Sequence, residues 1–147
     1  LTRAGATVVT VTDLRGFARR TPLLVRGTRR NPADLVLVGF PGHSDVPLVR
    51  LVVDRQTPVV FDAFVSLLES AEDRQGPALR AATAARFALE DRVACRFATT
   101  VLVDTEAHSS YFARRVGVPE RKLRRVWVGA DDDLATLGRA LLDRYDS

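Results

Sequence analysis

Apolar residues in this chain fall into short β-branched or aromatic runs, separated by longer stretches in which they recur at helical spacing. The short runs are Ala6 to Val11, Leu35 to Val38, Pro58 to Phe61, Thr100 to Val103 and Leu123 to Val128, and each reads as a strand. Between them the pattern predicts a short helix over Pro22 to Arg30, weakened by Gly27, after an Arg-rich loop from Thr12 to Thr21. A second helix starts at a Ser44 or Asp45 cap, tolerates Pro47 in its first turn and reaches about Arg55. A third, long one follows Gly76 and Pro77 and extends to about Ala98, with Ala82, Ala85, Leu89, Val93 and Phe97 as its core face. A fourth is capped by Thr105 and ends at Gly117. Short apolar strands alternating with helices predict an α/β fold with a doubly wound parallel sheet. Its strands are expected to be covered on both faces, with Val36, Val38, Val60, Leu102 and Val126 buried. The last stretch, Asp131 to Ser147, places Leu134, Leu137, Leu141 and Tyr145 down one face of an amphipathic helix. Residues 1–130 thus read as one domain and 131–147 as a terminal helix that packs back on it or joins a second copy.

Composition narrows the class of protein. At 147 residues and 46% hydrophobic content the chain is long enough for one cored domain. No apolar run approaches the ~18 residues of a membrane span. The lone cysteine, Cys95, has no partner for a disulfide, suits a reducing, cytoplasmic setting and is expected on the buried face of the long helix. The net charge of +4 favours acidic partners. Its arginines are spread along the chain, however, and Arg80, Arg86, Arg92 and Arg96 share a segment with Glu90 and Asp91. That segment reads as a solvated helix face, which argues against nucleic acid as a partner and leaves attraction to a membrane surface open.

Candidate chemistry gathers after the strands, where open α/β sheets bind ligands. Asp62, read as ending the Pro58 to Phe61 strand, ranks first as acceptor of hydroxyl hydrogens or as a base, against a turn-capping role. His43 lies in the loop GFPGHSD, whose glycines Gly39 and Gly42 let backbone approach a ligand closely. Its imidazole either binds a hydroxyl or relays a proton, or packs in the loop. Ser66 follows the same strand as Asp62 and lacks the adjacent base of a nucleophilic serine. Asp104 and Thr105 end the next strand and are explained by capping, and His108 either packs or lines the cleft. The two histidines lack metal-ligand spacing, so no metal site is expected. Neither a Walker loop nor G-x-G-x-x-G occurs, so no nucleotide or other cofactor is expected in this chain.

Three stretches carry a resemblance. FDAFVSLLESAEDR (Phe61 to Arg74), VLVGFPGHSDVPLVRL (Val36 to Leu51) and CRFATTVLVDTEAHSSYFARRVGVPERKLRRVWVGAD (Cys95 to Asp131) together resemble bacterial family 4 glycosyltransferases. The similarity spans roughly Asp34 to Asp131 and implies a Rossmann-like amino-terminal domain, half of a GT-B fold. In such enzymes this half receives the acceptor, a sugar or lipid-linked molecule, while a second domain holds a sugar nucleotide. The resemblance therefore implies an acceptor-side domain lacking its first strand, working at or near the inner membrane face. It is expected to be inactive without a donor-binding domain or partner subunit. A stand-alone binding or accessory subunit derived from such a domain, and a basic interaction module, are the competing readings. Leu68, Glu69 and Ser70 depart from the usual Tyr, Asp and Thr, and Trp127 stands where Pro is customary.

Overall fold

The computed structural model describes residues 7–12 and 17–126. Four parallel strands, β1 (Val36–Val38), β2 (Val59–Phe64), β3 (Thr100–Val103) and β4 (Leu123–Arg125), form one sheet in the order β1-β2-β3-β4. Helices α1 (Phe17–Arg30), α2 (Asp45–Val52), α3 (Leu67–Gln75), α4 (Ala81–Phe97) and α5 (Glu106–Tyr111) flank it. This is the Rossmann-like α/β arrangement that alternating strands and helices predict, and β1 pairs with β2 in parallel, Leu37 opposite Val60.

Burial alternates along the central strands. Val59, Phe61 and Ala63 of β2 and Val101 and Val103 of β3 are fully buried, whereas Val60, Asp62 and Leu102 on the opposite face are only partly covered. Val46 and Val49 of α2, Ala94 and Cys95 of α4, Ala98 and Phe112 close over the buried face. Removing Phe61 and Phe112 from water stabilises the fold by roughly 1.5–3 kcal/mol each. The expectation of equal cover on both faces is therefore corrected. Val36, Val60 and Leu102 are half-buried and Val126 is exposed, while edge strand β1 leaves Leu37 about half exposed. An edge strand has only one neighbour to shield it.

Several boundaries differ from the sequence reading for local reasons. Residues 7–12, read as part of the first strand, form no strand, and Val8 and Val9 are exposed. They cross α1 instead. A Cβ on Gly27 would lie 2.9 Å from both methyls of Val11, so the glycine that weakens the helix also lets this segment lie against it. α1 begins at Phe17 and runs through Pro22, taking in half of the stretch read as a loop. The guanidinium of Arg20 forks onto Asp45, with Nε 3.1 Å from Oδ1 and Nη2 3.0 Å from Oδ2, tying α1 to the start of α2. α2 itself ends at Val52, where Val53 turns extended and Arg50 Nη1 donates to Thr57 O at 2.7 Å.

The long helix turns a different face inward. Asp91, Ala94 and Cys95 are buried on α4, while Ala82 and Ala85 are exposed and Leu89 is 61% exposed. The inward stripe follows the small residues Ala84, Ala88, Ala94 and Ala98, which admit close packing on β2, with a carboxylate set among them. Cys95 is buried as expected, and burial pushes its thiol up to about 12. After α5 the chain makes one π-helical turn, Phe112–Val116, and Gly117 stops it in the left-handed region at φ 84°. Trp127, the Val-Gly-Ala-Asp run and the terminal helix from Asp131 to Ser147 lie outside the described residues.

Candidate polar site at the carboxyl edge of the sheet

β2 does not stop at Asp62. It continues to Phe64, with an irregularity against β3 between Asp62 and Phe64, and Phe64 takes φ 54° as the chain leaves the sheet. Asp62 is thus a half-buried residue inside the strand, whose carboxylate makes no hydrogen bond or ion pair with another described residue. Its neighbour Phe61 points to the opposite, buried face and meets the ring of His43 edge-on at 4.8 Å. Asp62 and His43 therefore lie on opposite faces, and no single contact joins the two residues ranked as catalytic candidates.

Around His43 the loop is built on itself. Gly42 N donates to Gly39 O at 2.8 Å, and a Cβ on Gly42 would come within 2.6 Å of Val38 Cγ1 and 2.7 Å of Gly39 O. Gly42 is thus required by its own loop, whereas Gly39 has open space beside it. The turn drives the imidazole inward, to 1% exposure, between Phe40 and Phe61. Its Nε2 lies 3.2 Å from Oδ1 of Asp91, but the ring N–H is not in line for a well-formed hydrogen bond, and Nδ1 has no partner.

Asp91 is the hub of this part of the molecule. Its carboxylate accepts from Ser66 Oγ at 2.7 Å and from the backbone N–H groups of Leu67 at 3.0 Å and Leu68 at 3.3 Å. Those are first-turn donors of α3, which have no intrahelical acceptor. Ser66 caps the same helix by accepting from Glu69 N at 3.1 Å. Burial pushes the Asp91 carboxyl upward, yet the close His43 imidazole and the hydrogen bonds from Ser66, Leu67 and Leu68 outweigh it and hold it below the ordinary carboxylate range. Asp91 is 1% exposed, so its reading as part of a solvated helix face is corrected.

A second cluster lies at the end of β3. Thr105 caps α5 by accepting from His108 N at 3.1 Å, as the sequence predicts. One turn on, His108 Nδ1 pairs closely with Asp104 Oδ1, and its Nε2 faces Glu69 Oε2 at 3.8 Å, beyond hydrogen-bond reach. Burial raises the Asp104 carboxyl, but the bond and charge of His108 outweigh it and lower it. Burial raises the Glu69 carboxyl, and His108 opposes this only in part. Glu69 Oε2 and the Tyr111 hydroxyl are buried polar atoms without hydrogen-bond partners.

The structure thus joins His43 to Ser66 through Asp91, and Asp104 to His108, with Glu69 of α3 facing the latter pair. Gly39 and Gly42 shape the first loop, and Asp62 stands apart. Asp91 and Tyr111 escaped the sequence reading as site residues. Asp91 had a signal, since an acid spaced helically among Ala84, Ala88, Cys95 and Ala98 sits on the face of smallest side chains. Among the described residues no group of three or more His, Cys, Asp or Glu could hold a metal ion, and no helix is long and apolar enough to cross a membrane. The class defined is a Rossmann-like α/β domain with two imidazole–carboxylate pairs at the exits of its strands. No protein-family model, curated protein or solved structure matches the chain.

Proposed function

We propose that this chain is the acceptor-side domain of a sugar-nucleotide-dependent glycosyltransferase, receiving a hydroxyl-bearing acceptor at the carboxyl edge of the sheet. One observation carries the reading. Glu69 Oε2, buried and without a protein donor, faces the His108–Asp104 pair where three strands end, and it offers an acceptor for a ligand hydroxyl. His108, held by Asp104 through Nδ1, presents Nε2 to the same space as a second polar contact. The resemblance of Val36 to Asp131 to family 4 glycosyltransferases supplies the reaction class, and the sugar nucleotide belongs to a donor-binding domain or partner subunit. Transfer needs both reactants held together, so the chain alone turns over no donor.

Backbone NMR titration with a panel of mono- and disaccharides and a short-chain lipid-linked sugar tests the reading. Saturable shifts confined to residues 39–44, 66–69 and 104–111, weakened by His108→Gln, are expected. No saturable shift with any acceptor, or shifts unaffected by His108→Gln, would overturn it. Asp62→Ala reports separately on the other face of β2. Loss of binding there without loss of stability would move the acceptor to Asp62 and away from Glu69.

A further inference from the structure

At the opposite end of the sheet the chain builds a concave feature, of about 610 Å³, between the carboxyl end of α4 and the loop leading into β4. Its wall carries Arg92 and Arg96, one turn apart on α4, and Arg121 and Lys122 from the 3-10 turn Glu120–Lys122. We propose that this recess binds the phosphate group of a small phosphorylated molecule.

The argument begins with Lys122, the chain's only lysine. Its Nζ donates to the carbonyls of Ala98 at 2.8 Å, Arg96 at 3.0 Å and Cys95 at 3.3 Å, three acceptors that the end of α4 leaves free. An ammonium there cancels the negative end of the helix dipole, which would otherwise repel an anion. With Lys122 so engaged, Arg92, Arg96 and Arg121 remain, and none of them has an ion pair among the described residues. Arg86, Arg20 and Arg125 differ, each being paired with an acid. Glu120, exposed in the same turn as Arg121, is the acid nearest in sequence and binds none of these cations. Burial depresses the Lys122 ammonium; Cys95 opposes this, and Arg121 and Arg96 add to it as like charges close by.

The shape selects among anions. Guanidinium groups present paired donors that match phosphate oxygens, and the volume lies within the range of small-ligand sites. Phe97, 37% exposed at the rim, with Val116 and Pro119 gives the non-phosphate part of a ligand an apolar surface. A concave recess suits a compact ligand entering it better than a flat bilayer, and this site is separate from the carboxyl-edge cluster.

Inorganic pyrophosphate is the probe. NMR titration at low ionic strength is expected to show saturable shifts at Arg96, Phe97, Gly117 and Arg121, with affinity falling as salt is added. Arg96→Gln and Arg121→Gln should each weaken binding roughly ten-fold, as loss of a charge-assisted bond implies, with Arg86→Gln as the unaffected control. Vesicles of phosphatidylcholine with and without phosphatidylglycerol form the second arm. Pyrophosphate binding that the two recess variants leave unchanged would overturn the proposal, as would absence of saturation. Binding to the anionic vesicles alone would likewise overturn it, in favour of a membrane-facing patch.

Discussion

Asp91→Ala is the substitution with the largest expected consequence, because one buried carboxylate serves four groups at once. It removes the acceptor for Ser66 Oγ and for the N–H groups of Leu67 and Leu68, and it leaves His43 without its charged neighbour. Hydrogen bonds to a charged group contribute about 1.5–3 kcal/mol each, but three bonds to one carboxylate share its desolvation cost and do not add. Removing one partner of a buried charged network costs about 3–5 kcal/mol, and that is the expected loss. Against a total stability of about 5–15 kcal/mol for a domain, this is roughly a fifth or more. Asp91→Asn keeps one acceptor oxygen but turns an amide NH2 toward backbone donors, so about 1–3 kcal/mol is expected. Urea denaturation near neutral pH, followed by circular dichroism, measures both. An Asp91→Ala protein within about 0.5 kcal/mol of the parent, the usual effect of a surface change, would refute the reasoning and mean that water satisfies the donors of α3 instead.

Other expectations follow from the same geometry. The Asp91 and Asp104 carboxyls are lowered in the fold, so the stability they contribute is present above the ordinary aspartate value and lost as pH falls through the lowered values; Asp91→Asn should flatten that part of the stability–pH curve. Glu69 is raised, so its ionisation weakens the fold as pH climbs from near 4.5 through the folded value. Glu69→Gln should therefore be more stable than the parent at neutral pH and equal to it in acid, as thermal melts at both pH values can show. Phe112→Ala, which empties a fully buried site, should cost about 3–5 kcal/mol in the same urea assay. Leu89→Gln should change stability by no more than about 0.5 kcal/mol, because its side chain faces outward.

Four of the five strands read from the sequence were legible, since β1 to β4 all fall within the short apolar runs or just beyond them, whereas residues 7–12 show that a β-branched run alone does not make a strand. The helix cap at Thr105 is equally local, since its side chain bonds a backbone N–H three residues on; Ser66 caps α3 in the same way, but the acidic stretch after β2 reads as a loop from its sequence, and that helix was missed. What the sequence hid depends on partners far along the chain. Periodicity of large residues set Leu89 inward, whereas close approach to β2 required the alanine face, and Leu89 was turned outward. Asp62 looked terminal because the apolar run ended there. β2 nevertheless continues to Phe64, because β3 offers partners for Asp62 and Phe64 that the β2 segment alone does not reveal.

The same helix explains why the two ends of the sheet differ in charge. α4 passes its middle, Asp91, under the exits of β1 and β2, where the carboxylate gathers donors from α3 and the edge of His43. It delivers its last carbonyls beside the start of β4, where they gather the Lys122 ammonium. An acid inside and a base at the carboxyl terminus both suit a helix whose inward face is too small to bury much apolar surface, since polar bonds then supply part of what fixes its position. The Asp91 variants test this beyond their local contacts. A loosened α4 would also move the carbonyls that Lys122 holds, so Asp91→Ala should accelerate amide exchange at Ala98 and Lys122 as well as at Leu67 and Leu68. Faster exchange at Leu67 and Leu68 alone would show that Asp91 fixes only the start of α3, and that α4 is held in place by its alanine face without help from either charge.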